Sequence, residues 1–139
     1  MNREILFRGK SLDTGEWVEG YLVKKIDPIY TDIETYCILK QKKDKFGVLE
    51  PLVTWTKVDA ETIGQFTGLT DMNGVKIFEG DIVELPREDE FYKVVWSNDT
   101  ARFAMTSGTI ECDFDNYWGC HTEVIDNIHD NPKILKGEK

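Results

Sequence analysis

Apolar and polar positions alternate with period two along most of the chain. Trp17, Glu19, Tyr21 and Val23 alternate with Val18, Gly20 and Leu22, apolar on both faces, which suits a strand covered on each side. An earlier strand reads Glu4 to Arg8, with a turn at Asp13-Thr14-Gly15, and Asp27-Pro28 ends the second. Ile33, Thr35, Cys37 and Leu39 share one face of the next strand, with Tyr36 and Ile38 on the other. Lys40 to Lys45 forms a polar hairpin tip ending at Gly47. Val48 to Trp55 then returns, its Pro51 pointing to an edge position or a bulge. The pattern changes around Val58 to Thr62, where a short helical turn is allowed. Strands are then expected at Gln65–Thr70, Val75–Phe78, Ile82–Leu85, Phe91–Trp96 and Ala101–Thr106, followed by Thr109–Phe114 and Glu123–Ile128. Tyr92, Val94 and Trp96 fall on one face. Asn73-Gly74 predicts a type I′ turn, which needs two positive φ values. Asn131-Pro132 ends the ordered fold, leaving a frayed tail through Lys139.

Side-chain types agree with this pattern. The chain holds 10 Val, 12 Ile and 12 Thr against only 3 Ala and 9 Leu. Branching at Cβ restricts χ1 in a helix but packs well on a pleated sheet. The expected class is all-β: two small coiled β-sheet subdomains, 1–57 and 58–139. Short strands with tight turns give the second the look of an SH3-like barrel. Its Glu79-Gly80-Asp81-Ile82-Val83 echoes Glu19-Gly20-Tyr21-Leu22-Val23, which is too short an echo to argue duplication. Both glycines read as bends before a buried strand segment.

Charge divides the chain as well. Residues 1–57 carry 10 Lys/Arg and 9 Asp/Glu, whereas 58–139 carry 7 and 17. A field of net −10 repels nucleic-acid phosphate, so direct nucleic-acid binding by the second part is disfavoured. No run approaches the ~18 apolar residues of a membrane span, and Met1 to Ile5 lacks the apolar core of a signal peptide. Three scattered cysteines, Cys37, Cys112 and Cys120, make no disulfide framework, and a reducing cytoplasm is the expected compartment.

One block is specific: Thr62-Ile63-Gly64-Gln65-Phe66-Thr67-Gly68-Leu69-Thr70-Asp71, then Asn73-Gly74, then Lys76-Ile77-Phe78-Glu79-Gly80-Asp81-Ile82-Val83. With Phe7-Arg8-Gly9-Lys10, Gly15 to Gly20, and Glu123 to Pro132, it resembles the YopX family of phage and prophage proteins along nearly the whole chain. Ala60 and Asp126 depart from the family pattern, where Pro and Gly are common; the second departure bears on a tight bend near the last strand. The resemblance implies a mainly β, two-part, self-associating protein and implies no chemistry.

Candidate sites read from the residues are three. Glu111, Asp113 and Asp115 fall at i, i+2, i+4, so a strand would present three carboxylates for a hard cation. The preferred reading is a solvated face with Cys112 and Phe114 turned inward. Cys112, Cys120, His121 and His129 have a spacing outside the short-loop zinc patterns, so a buried Cys and surface histidines are preferred to a metal site. Lys40, Lys42, Lys43 and Lys45, with Phe46 alone for stacking, read as a charged tip rather than a nucleic-acid contact. His121 and His129 are the only imidazoles, and neither a Gly-x-Ser-x-Gly elbow nor a phosphate loop is present.

No catalytic, cofactor or metal residue is therefore assigned, and the expectation is not an enzyme. The leading reading is a phage- or prophage-encoded protein acting through protein contacts and self-association. Aromatics such as Tyr30, Tyr36 or Tyr117 would sit at contacts, and the basic 40–45 segment of one subunit would meet the acidic 79–90 region of another. The alternative is a regulator whose acidic face, with Glu88, Asp89 and Glu90, binds a basic nucleic-acid-handling protein. A metal-assisted hydrolase using strand carboxylates ranks third.

Overall fold

Branched and aromatic side chains do form strands almost throughout. The structure is a computed structural model describing residues 3–30, 32–86, 88, 90–108 and 110–134. Asp89, Thr109 and the tail from 135 to Lys139 lie outside the described residues, as does the side chain of Lys42. The class is all-β, with two antiparallel sheets.

The chain divides into two compact units, residues 1–65 and 66–139. In the first, β1 (Phe7–Lys10), β2 (Trp17–Ile26), β3 (Glu34–Lys43) and β4 (Leu49–Val58) form an antiparallel ladder in the order β4-β3-β2-β1. The opening residues of β5 (Gly64–Thr70) pair with β1, Gly64 opposite Arg8 and Gln65 opposite Phe7. The break therefore falls later than the expected one after residue 57, for a visible reason. A 3-10 turn, Ala60–Thr62, is fastened to β1: Lys10 donates its amide to Thr62 Oγ1 at 2.9 Å, and Asp59 donates to the Lys10 carbonyl at 2.9 Å. Leu6, Cys37, Ile38 and Val58 form this unit's buried apolar set. β4 is an edge strand with a register shift between Gln41 and Lys43, as Pro51 foretold.

Gly20 is not a bend. It lies inside β2 without a positive φ, and the position takes glycine because a Cβ there would collide with the Leu39 carbonyl of β3. Gly80, by contrast, turns the chain at φ 93°.

In the second unit the remainder of β5 pairs with β6 (Lys76–Phe78). β7 (Asp81–Leu85), β8 (Glu90–Ser97), β9 (Arg102–Ser107), β10 (Ile110–Asp113) and β11 (Glu123–Asn127) make a five-stranded sheet in the order β10-β9-β8-β7-β11. The ladder has two ends and closes no barrel among the described residues. Its core gathers Ile77, Val83, Leu85, Tyr92, Val94, Met105 and Phe114. Trp96 keeps the expected register, opposite Phe103, but stands 44% exposed, edge-on to that ring with centroids 5.1 Å apart. A β-bulge between Val124 and Asp126 supplies the bend in β11 without a glycine.

A short helix, α1 (Asn116–His121), was not foreseen. Asp115 caps it, accepting from the Trp118 amide at 3.2 Å.

The β3–β4 and β5–β6 hairpin turns share one design. In Asp44-Lys45-Phe46-Gly47-Val48, the Asp44 amide donates to the Val48 carbonyl at 2.8 Å and the Gly47 amide to the Asp44 carbonyl at 3.0 Å. Asp44 Oδ1 accepts from the amides of Phe46 and Val48 at 2.8 and 2.9 Å. Asp71-Met72-Asn73-Gly74-Val75 repeats all four bonds at the same lengths. Only the glycine of each turn has positive φ, 79° in both. The predicted type I′ turn at Asn73-Gly74 is thus a type I turn followed by a left-handed glycine, selected because the aspartate carboxylate holds the amides of a right-handed turn.

Candidate functional site

The residues proposed for cation binding are separated by their elements. Asp113, on β10, pairs with Arg102 of β9 at 3.3 Å; Asp115 is turned into the helix cap; Glu111 stands exposed. Phe114 is buried and Cys112 packs against the core, as expected of the inward pair. Among the described residues, no three His, Cys, Asp or Glu side chains converge in a metal-holding group. His129 lies beside Gly80, and Cys112 on β10, so neither joins Cys120 and His121 on α1. Cys120 is exposed, not buried.

Cys120 and His121 do meet, with Sγ 3.2 Å from Nδ1. The contact does not make a nucleophile and base. Nδ1 sits 2.6 Å from the Tyr117 carbonyl and must donate its hydrogen there, and the Cys120 thiol donates to the same oxygen at 3.3 Å. The nitrogen nearest the sulfur therefore has no lone pair to take the thiol proton.

Around this pair lies a concavity of the second unit. It has a volume of about 560 Å³ and is lined by Met72, Leu85, Pro86, Glu88, Tyr117 and Trp118 besides Cys120 and His121. α1 builds one side, and its position follows from the Asp115 cap and from burial of Trp118 against the core. Tyr117, 61% exposed, stacks over His121 with centroids 4.4 Å apart and meets Trp118 edge-on at 5.3 Å. The cleft offers apolar and aromatic surface with the Glu88 carboxylate among its described lining. Helix α1 hid this site from the sequence reading, although Asp115, three residues before Trp118, is a legible cap.

The first unit has a different surface. Tyr21, Leu39 and Trp55 lie in one row across β2, β3 and β4, with Val53 beyond, and Tyr21, Trp55 and Val53 are all exposed. Lys25 lies over the Trp55 ring at 5.5 Å. At the β3–β4 turn, Phe46 is 79% exposed, with the Lys45 ammonium 5.2 Å from its ring. Tyr30 is exposed too, held in a loop where Asp27 Oδ1 accepts from the Ile29 and Tyr30 amides at 2.8 Å each. Those bonds, Tyr30's first, hold the Asp27 carboxyl below its ordinary pKa.

Residues 6–136 match the YopX protein family. The chain belongs to that family. No curated protein sequence matches it. Among solved structures, the crystal structure of protein EF1440 from Enterococcus faecalis is similar over 96% of this chain and 99% of that chain, at 21% identity and a TM-score of 0.58. At that identity the likeness speaks for the fold alone.

The family's central block reads on the structure as scaffold. Ile77, Phe78, Ile82 and Val83 are buried. Asp71, 4% exposed, accepts through Oδ2 from the Val124 amide at 2.9 Å, besides holding its own turn. Asp81, 1% exposed, accepts from the Phe78 amide at 2.7 Å. These buried carboxylates, unnoticed as such in the sequence, are backbone acceptors. No helix among the described residues is long and apolar enough to cross a membrane.

Proposed function

We propose that this YopX chain is a non-catalytic protein of phage or prophage type that works in the cytoplasm through protein contacts, first of all with copies of itself. One observation carries the reading: the apolar surface left uncovered in the first unit is contiguous and aromatic, running through Tyr21, Leu39, Trp55 and Val53. Single exposed hydrophobics are ordinary, but a cross-strand row rich in Trp and Tyr has the composition of interface cores. The engagement of His121 Nδ1 and of the Cys120 thiol with one carbonyl argues in the same direction, because it leaves that pair unsuited to nucleophilic attack.

Light scattering on purified protein at micromolar concentration tests this. An assembly larger than one chain is expected, and a strictly monomeric species overturns the reading. A second reading, regulation of a basic nucleic-acid-handling protein, is favoured by the acidity of residues 66–139, which hold 7 Lys/Arg against 15 Asp/Glu. A pull-down in which a basic partner is lost when Glu88, Asp89 and Glu90 are neutralised would favour it over self-association.

A further inference from the structure

Two features found on different units complement one another in shape and charge. The β3–β4 turn ends in Lys45-Phe46, and Asp44 holds it rigid by accepting the Phe46 and Val48 amides. Its aromatic ring is 79% exposed and carries a lysine on its face. Residues 40–45 contain four lysines and one aspartate, a net of +3. The cleft beside α1 presents the opposite qualities. It has apolar lining from Met72, Leu85, Pro86 and Trp118, and the Glu88 carboxylate lies among its lining residues. At about 560 Å³ it has room for one phenyl ring and the stem of a lysine.

We propose that the Lys45-Phe46 turn of one copy docks in the Trp118 cleft of a second copy, the ring against Leu85, Pro86 and Trp118 and the ammonium toward Glu88. This rests on the self-association reading and specifies its interface. A pre-ordered turn loses little conformational freedom on docking, and the aromatic anchor provides the central contact. The opposed charges set orientation and speed the encounter. Tip and cleft are different surfaces, so the contact is heterologous, and repeated it yields a ring or an open chain of subunits rather than a two-fold dimer.

Light scattering and sedimentation on the full chain at low salt test the proposal with four variants. Phe46→Asp and Tyr117→Ala each lower the mass to that of one chain, with circular dichroism and melting temperature unchanged, since both side chains are largely exposed. An equimolar mixture of these two variants gives a species of two chains, because one intact tip still meets one intact cleft; a symmetric interface would not recover in this way. Lys45→Glu weakens assembly at least tenfold, and adding Glu88→Lys restores it. If Phe46→Asp keeps the wild-type mass, the docking proposal falls while self-association stands. If the wild type is itself a monomer, both fall.

Discussion

Asp71 and Asp44 provide a controlled comparison, since the same five-residue turn is built twice around an aspartate, once buried and once near solvent. Replacing Asp71 by Ala removes three accepted hydrogen bonds, from Asn73, Val75 and Val124 at 2.8, 2.9 and 2.9 Å. The Val124 amide lies on β11, 53 positions along the chain, and no water-facing turn can replace its partner. An orphaned buried amide costs ~1–3 kcal/mol, and each of the two turn amides, nearer solvent, ~0.5–1 kcal/mol. The expected loss is ~2–5 kcal/mol, a large part of the stability of a domain this size. Asp44→Ala removes only the two turn bonds, with no long-range one among those described, and should cost ~1–2 kcal/mol, less than Asp71→Ala by the worth of the Val124 bond. Urea denaturation followed by tryptophan fluorescence measures both, with the m-value checked for constancy. Equal losses for the two variants, or a loss under ~1 kcal/mol for Asp71→Ala, would refute the view that this carboxylate acts as a buried tie between the turn and β11.

Further outcomes follow from the same geometry. Gly20→Ala sets a Cβ against the Leu39 carbonyl, a backbone atom that cannot swing aside, so β2 and β3 should part at a cost of ~1–3 kcal/mol or more; an unchanged melting temperature would contradict this. Asp115→Ala removes the cap of α1 and should cost ~1 kcal/mol, with the backbone shifts of Tyr117 to His121 moving in NMR spectra while those of β2 and β3 stay fixed. For Asp27, the amides of Tyr30 and Ile29 stabilise the charged form, so the folded pKa lies below the unfolded one. The loop's order is complete above the ordinary Asp range and is lost as pH falls through the lowered midpoint. Amide shifts of Ile29 and Tyr30 should therefore titrate below the ordinary Asp value; a midpoint at or above it would count against the bonds.

Local side-chain chemistry by itself determined the strand content. Branching at Cβ and period-two alternation are properties of neighbouring residues, so Trp17 to Leu22 and Val75 to Leu85 were legible in order, although β2 is not covered on both sides as its pattern suggested, since Tyr21 stands 66% exposed. The turns were located by their glycines, yet their type was not. Asn73-Gly74 favours one geometry, and an aspartate two positions earlier selects another by accepting amides only the folded loop aligns. Tertiary structure alone decided three things: which carboxylates are buried, where Gly20 meets a neighbouring strand, and which side chains wall the cleft beside α1. Each joins residues far apart in sequence, Asp71 with Val124 or Met72 with Trp118, and such meetings depend on how whole strands register and fold over one another.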